Sequence, residues 1–113
     1  MRPTNKHKDE RFSSLITKFA GEYFSVEANS NILMTITRTE IEDKGKRATI
    51  FFTTLPEEKQ ETTLEFARRK NRDFRKFIMD KKSFGFVPKI YFEIDFGERN
   101  RQRIDELLNE STN

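Results

Sequence analysis

The sequence has no cysteine, a single histidine, and no apolar run that approaches the ~18 residues needed to cross a membrane. The lack of cysteine excludes a disulfide framework and zinc sites with cysteine ligands, and it is typical of proteins in a reducing compartment. Charged residues occupy the N-terminal positions where a signal peptide has its apolar core. We therefore expect a soluble, cytoplasmic protein without a membrane partner.

Residues suited to catalysis are equally scarce. The sequence has no glycine-rich phosphate loop of the Walker type, no nucleophile constellation and no metal-ligand spacing, and His7 lies in a charged N-terminal stretch. Glu93 and Asp95 share one face of a predicted strand and could act as paired carboxylates, but the polar side of a half-buried strand is the simpler interpretation. We expect no enzymatic activity, cofactor, metal or small-molecule substrate.

The charge that is present is concentrated in one segment. The 113 residues carry a net charge of +3, yet residues 68–82 hold eight basic residues and two aspartates, a local charge of +6, so the remainder sums to −3. A charged fraction of 36% and a mean hydropathy of −0.86 lean toward disorder. Twelve phenylalanines indicate a folded core instead, because disordered chains are poor in aromatic residues. We expect one domain and a monomer.

Hydrophobic periodicity predicts the secondary structure. The predicted elements are a flexible basic arm at 1–8, a helix at 9–24, strands at 32–37 and 48–53, a helical stretch at 56–82, a strand at 90–96 and a helical tail at 97–113. Gly45 can adopt a positive φ in the turn between the first two strands. The helical stretch begins at Pro56 and is long enough for a break.

The order of these elements predicts an α+β fold. Two strands joined by a helical crossover in one sheet normally run parallel, so the second and third strands should have the same direction. The first two strands form an antiparallel hairpin. The helices should cover one face of a three-stranded sheet, giving a two-layer domain over residues 9–96.

The stretch FARRKNRDFRKF, residues 66–77, has two different faces when it is drawn as a helix of about 100° per residue. The apolar residues and Asn71 lie on one side, and five cations without a carboxylate lie on the other: Arg68, Arg69, Arg72, Arg75 and Lys76. Like charges four residues apart, such as Arg68 and Arg72, are destabilising. Four of the five are arginine, whose planar donors suit phosphate. The pattern favours contact with nucleic acid over an ordinary solvated face.

Asn71 admits two interpretations. In a continuous helix it is a mildly unfavourable polar residue within the apolar arc. As the N-cap of a second helix it would have Asp73 in the first turn, and the free N–H groups of that turn would point at an anion. The apolar phase runs through Asn71 without a shift, which favours continuity. On balance we predict a kink or break near Asn71.

Four segments in order resemble the ribosome-binding factor A family, and together they cover about residues 8–110: ILMTITRTEIEDKGKRATIFFTTL, RDFRKFI, VPKIYFEID and RIDELLNE. The resemblance implies a type II KH-like fold, α-β-β-α-(kink)-α-β with a short C-terminal helix. In that fold a helix-kink-helix unit replaces the glycine-rich KH loop. Family members have an Ala-x-Gly interruption at the kink, whereas this sequence has Lys70, Asn71 and Arg72. The small residues that let RNA approach closely are absent, and two cations are added.

The resemblance implies a non-enzymatic RNA-binding factor for maturation of the small (30S) ribosomal subunit, in ribosome biogenesis and rRNA processing. Its partners would be the small subunit and its rRNA. The expected RNA-binding residues are Arg11, Arg68, Arg69, Lys70, Asn71, Arg72, Arg75, Lys76, Lys81 and Lys82, of which Arg11 and Arg75 match positions that the family also keeps basic. Tyr91 is the best exposed candidate for base stacking, although an ordinary strand residue is the simpler interpretation.

Two alternatives stay open at this point. The first is a KH-like nucleic-acid-binding module with a non-ribosomal RNA or DNA target. The second is an adaptor whose basic face meets an acidic protein.

Overall fold

The computed structural model describes residues 3–27, 31–81 and 85–111. Its helices and strands are α1 (Pro3–Glu27), β1 (Leu33–Glu42), β2 (Arg47–Leu55), α2 (Gln60–Arg69), α3 (Asn71–Asp80), β3 (Lys89–Ile94) and α4 (Phe96–Ser111). Short 3-10 turns lie at Asp43–Gly45 and Glu57–Lys59. This order confirms the predicted α+β, type II KH-like arrangement with an interrupted helix and a C-terminal helix.

The three strands form one sheet in the order β1-β2-β3. β1 and β2 are antiparallel and β3 runs parallel to β2, as predicted. Gly45 in the hairpin turn has a φ of +87°, which confirms the conformation expected of it. The helices α1, α2 and α3 pack on the same face of the sheet. The buried strand residues on that face are Ala48, Ile50, Phe52, Ile90, Phe92 and Ile94.

Aromatic rings join the first and third helices to the sheet. Phe24 of α1 lies 5.6 Å from Phe74 of α3 and 5.4 Å from Phe92 of β3, measured between ring centroids. Phe74 and Phe92 are 6.0 Å apart. Aromatic pairs at such distances add about 0.5–1.5 kcal/mol each beyond the burial of apolar area. These rings therefore fix α3 in place relative to the sheet.

Helix α1 begins at Pro3, earlier than the start predicted at Asp9. Proline is favoured in the first turn of a helix, because that turn does not need its missing N–H and its φ is already helical. Residues 3–8 are thus helical rather than an irregular arm. The flexibility expected of residues 1–8 stays a prediction.

Strand β3 ends at Ile94, so the prediction that Phe96 belongs to it is wrong. The Oδ1 atom of Asp95 accepts a hydrogen bond from the Glu98 N–H at 2.9 Å. An aspartate that accepts a bond from the third residue of a helix is an N-cap. Phe96 therefore begins α4, where it is exposed.

A β-bulge changes which side of β1 is buried. The register of β1 against β2 shifts between Ile36 and Arg38. Before the shift Ile36 is opposite Phe52, and after it Thr39 is opposite Ile50. Because both partners in β2 face the helices, the inward positions of β1 change from even to odd numbers across the bulge.

The bulge brings two consecutive residues of β1 to one carboxylate. Asp95 is buried, and its Oδ2 atom accepts hydrogen bonds from Thr37 Oγ1 and Arg38 Nη1, both at 2.5 Å. Burial alone would raise the pKa of Asp95, but the hydrogen bonds from Thr37, from the Glu98 N–H and from Arg38 outweigh burial and hold that pKa below its usual value. The charged carboxylate thereby links β1, the end of β3 and the start of α4.

We expect Asp95→Asn to lower the free energy of unfolding by about 1–3 kcal/mol at neutral pH, because an amide cannot accept the same three hydrogen bonds. The folded-state pKa of Asp95 is lowered, so its contribution is present above the usual aspartate pKa of about 4 and is lost as the pH falls below it. The difference in stability between wild type and variant should therefore shrink in acid. Urea unfolding on both sides of that pH measures this difference.

The matched control is Glu93→Gln, two residues earlier on β3 and exposed. This change should shift the unfolding free energy by less than about 0.5 kcal/mol at either pH. A pH-independent difference between wild type and Asp95→Asn would show that the charge of Asp95 is not what stabilises the junction.

Candidate nucleic-acid interface

The long helical stretch breaks at Lys70, which ends α2 and precedes α3. Between α2 and α3, Lys70 alone departs from helical backbone angles, with a φ of −87° and a ψ of 0°. Lys70 takes part in both helices, because its N–H donates to Phe66 O at 3.0 Å and its carbonyl oxygen accepts from the Phe74 N–H at 2.8 Å. The predicted break is confirmed, one residue before Asn71.

Asn71 is the first residue of α3 and not its N-cap, so the N-cap interpretation is wrong. Its Nδ2 atom donates to the carbonyl oxygen of Ile90 in β3 at 2.7 Å. The Lys89 N–H points to the β2 side, where it donates to the carbonyl oxygen of Lys46, the residue before β2. The main-chain groups of Ile90 therefore point to the free edge of the strand. Asn71 therefore pairs a carbonyl that the sheet leaves open, which explains a polar residue within the apolar arc.

Arg75 also binds the main chain beside β3. Its Nη2 atom donates to Val87 O at 2.9 Å, and its Nε atom donates to Pro88 O at 3.3 Å. These two residues lead directly into the strand. We call Asn71 and Arg75 the edge clamp. Contact of either residue with RNA stays a prediction. In the structure, both side chains donate hydrogen bonds to main-chain carbonyl groups in or beside β3.

Four of the predicted cations are exposed on the outer side of α2 and α3, and we call them the cationic row: Arg68, Arg69, Arg72 and Lys76. None of them forms an ion pair with another side chain that the structure describes. Helical geometry places Asp73 and Asp80 roughly a quarter turn from Arg72 and within about one turn of Lys76. Neither forms an ion pair with the row, so the row presents positive charge that is unpaired among the described side chains.

Three further residues of the predicted RNA-binding set are not part of the cationic row: Lys70, Lys81 and Lys82. Lys70 is half-buried at the break. The ammonium group of Lys81 lies 4.5 Å from the centre of the Phe77 ring and 3.8 Å from the Glu22 carboxylate. Lys82 lies outside the described residues.

Arg11 is exposed on α1. Phe74 packs on Tyr23, whereas the later residue Phe77 also packs on the earlier residue Phe19, so α3 runs antiparallel to α1. Arg11 therefore lies toward the C-terminal end of α3, and Arg68 and Arg69 precede its start. The structure does not bring Arg11 into the row.

Two exposed apolar side chains near the edge clamp are absent from the predicted site. Met79 of α3 is 58% exposed, and Phe86, directly before Val87, is 57% exposed. The sequence contains a signal for Met79, since about 100° per residue places it some 20° from Arg72 on the helical wheel. Phe86 has no comparable signal, because it lies in a loop whose position depends on Arg75.

The sheet face away from the helices has mixed charge. The Arg38 guanidinium lies 3.8 Å from the centre of the Phe51 ring, and that of Arg47 lies 4.4 Å from the centre of the Tyr91 ring. Glu93 is exposed on this face, whereas Asp95 is buried at the start of α4, so the two carboxylates do not share an environment. Arginine already occupies the space over both rings, which makes this face a poor platform for bases.

Within the described ranges, no cluster of three or more His, Cys, Asp or Glu residues could hold a metal ion. No helix in the described part of the chain combines the length and the apolar character needed to cross a membrane.

The family model described as ribosome-binding factor A matches residues 8–108. The crystal structure of ribosome-binding factor A from Thermus thermophilus is similar, with a TM-score of 0.67 and 14% identity over 76% of this chain and 94% of that one. The solution NMR structure of a Thermotoga maritima protein proposed to be a ribosome binding factor A gives a TM-score of 0.66 and 22% identity over 82% and 90%. These two likenesses show a common fold. No curated protein matches in sequence.

We expect Asn71→Ala to lower the free energy of unfolding by about 1–2 kcal/mol, because the Ile90 carbonyl loses its partner. Arg72→Ala, one residue later but exposed, should change it by less than about 0.5 kcal/mol. Urea denaturation followed by circular dichroism measures both. Equal destabilisation would contradict the division between edge clamp and cationic row.

Proposed function

Because the chain belongs to the ribosome-binding factor A family, we propose that it binds the small ribosomal subunit and assists its maturation as a non-enzymatic factor. In this proposal the cationic row contacts phosphates of the small-subunit rRNA. The edge clamp holds α3, which carries Arg72 and Lys76 of the row. The protein would act as a monomer in the cytoplasm.

The cationic row is the observation that carries the proposal. Arg68 with Arg72 and Arg72 with Lys76 are like-charged pairs four residues apart, and each such pair costs a few tenths of a kcal/mol, roughly 0.2–0.5. A surface that served solubility alone would gain by interleaving carboxylates. A bound polyanion removes the repulsion, and the release of its counterions favours association.

The composition of the row suits the RNA backbone. Three of its four cations are arginine, whose planar guanidinium can donate two parallel hydrogen bonds to one phosphate. Phosphate contacts position a protein without reading base identity. The row would therefore recognise the spacing of phosphates on a folded RNA, and the shape of that RNA would supply the specificity.

The alternative is a KH-like module that uses the same row for a non-ribosomal RNA or DNA. A competition experiment separates the two functions, because labelled protein can be displaced by purified small subunits, duplex RNA, single-stranded RNA or duplex DNA. Small subunits that compete no better than the other nucleic acids, per nucleotide, would favour the alternative. Nuclease-resistant capture of an acidic protein would favour the adaptor hypothesis.

We expect the double change Arg68→Glu and Arg72→Glu to weaken binding to small subunits at least roughly tenfold, because it removes two phosphate contacts and adds two repulsive charges. In a sucrose gradient of cell lysate, the wild-type protein should migrate with free small subunits and not with translating ribosomes. The variant should remain at the top of the gradient.

The matched control is Arg101→Glu with Arg103→Glu on α4, which changes the net charge equally. Both arginines form exposed ion pairs, with Glu98 and Glu57, and exposed pairs contribute little stability. The control should bind as the wild type does. Equal loss in both variants would assign binding to overall charge, and retention by the row variant would contradict the proposal.

The salt dependence provides a second measurement. If four phosphates are contacted, the logarithm of the association constant for rRNA should fall against the logarithm of salt concentration with a slope of about −2.8 to −3.6. The row variant should halve that slope. Fluorescence anisotropy across a salt series measures it, and a flat dependence for the wild type would argue against phosphate contact.

A further inference from the structure

Two exposed apolar side chains flank Arg75: Met79 lies one turn after it on α3, and Phe86 precedes Val87, whose carbonyl Arg75 binds. Met79 and Phe86 are both more than half exposed. One exposed apolar side chain is ordinary on a protein surface. Two large ones near exposed cations form a combination that suits folded RNA with an unpaired base, which offers both phosphates and an unstacked base face.

Arg75 determines where Phe86 lies. Phe86 is bonded to Val87, with about 3.8 Å between their Cα atoms, and the Val87 carbonyl accepts the hydrogen bond from Arg75 Nη2 at 2.9 Å. On α3, Arg72 lies almost one turn before Arg75 and Met79 about one turn after it, so the three share a side of the helix. The hydrogen bond therefore places the backbone next to Phe86 at the Arg75 guanidinium, on the helix whose same side carries Arg72 and Met79.

The charges near these two apolar side chains favour an anionic ligand. Arg72 and Lys76 have no ion-pair partner among the described side chains. Asp73 and Asp80 lie roughly a quarter turn from Arg72 on α3, and neither forms an ion pair with it. A nucleotide matches the arrangement because its phosphate can meet Arg72 while its flat base meets the ring of Phe86.

We propose that Phe86 stacks on an unpaired base of the RNA whose phosphates bind the cationic row, and that Met79 packs against the same nucleotide. The inference rests on the proposed function, since the row must hold RNA for a base to reach Phe86. A single aromatic ring stacks on a single base, and the side chains of the cationic row bind only phosphates. The substrate class is thus an RNA duplex that carries a single unpaired nucleotide.

Two RNA hairpins test the proposal. They are identical except that one has a single bulged 2-aminopurine, whose fluorescence falls when it stacks on a ring. The full-length protein is titrated with each hairpin at constant salt, as wild type and as Phe86→Ala, Phe86→Leu and Phe86→Trp. Leucine keeps an apolar side chain without a ring, and tryptophan keeps the ring.

The wild type and Phe86→Trp should prefer the bulged hairpin about tenfold and quench its fluorescence, as expected for one base on one ring. Phe86→Ala and Phe86→Leu should bind both hairpins equally without quenching. Their salt slopes should match that of the wild type, because all four cations of the row remain. Phe96→Ala, which removes an exposed ring on α4, is the positional control and should keep the preference.

The outcomes separate this inference from the proposed function. Equal binding of the two hairpins by the wild type, or retained quenching in Phe86→Leu, overturns base stacking while phosphate binding stands. If Phe86→Ala keeps the wild-type preference for the bulged hairpin but no longer binds small subunits, the ring contacts a protein and the inference is wrong. If the wild type binds neither hairpin, or Arg68→Glu with Arg72→Glu binds both as the wild type does, the phosphate contact fails and this inference fails with it.

Discussion

The free edge of β3 is the constraint on which the functional surface depends. An edge strand has main-chain carbonyls without partners in the sheet, and such groups need hydrogen bonds from elsewhere when water is excluded. The edge clamp supplies them to Ile90 of β3 and to Val87 and Pro88, which lead into the strand. Because Asn71 and Arg75 lie one turn apart on α3, their bonds fix both the position and the rotation of that helix. The rotation directs the cationic row away from the sheet.

Helix α3 carries both the aromatic side chain that attaches it to the core and like-charged side chains of the cationic row that repel one another. Burial of a phenylalanine such as Phe74 contributes about 1.5–3 kcal/mol, and its contacts with Phe24 and Phe92 add to this. Repulsion between like charges in the row amounts to a few tenths of a kcal/mol for each pair, roughly 0.2–0.5. The aromatic contacts therefore outweigh the repulsion several-fold. An unneutralised row can exist because α3 does not depend on surface charge pairs for its stability.

Periodicity predicts which face of each element is buried, and it predicts less about what polar side chains bind. The helical wheel separates the cationic row from the core, yet it places Arg75 within about 40° of Asn71, at the border with the apolar arc. That border position is the sequence signal for the clamp. The bulge at Thr37 has no such signal, because alternation in β1 looks regular until pairing with β2 is known. Phe96 continues the alternation of β3, and the buried cap by Asp95 overrides it.

The break at Lys70 shows how the interface can lack small residues. A φ of −87° with a ψ of 0° is accessible to any L-amino acid, so the helix can turn there without glycine. The resemblance to the family implied a kink formed by small residues, which let an RNA backbone approach the main chain. Here Lys70 and Arg72, with long side chains, stand at those positions. A phosphate bound there would be held at the distance of a guanidinium. The edge clamp sets the position of the α3 backbone before binding, whereas the exposed side chains of the row lose conformational entropy when they bind.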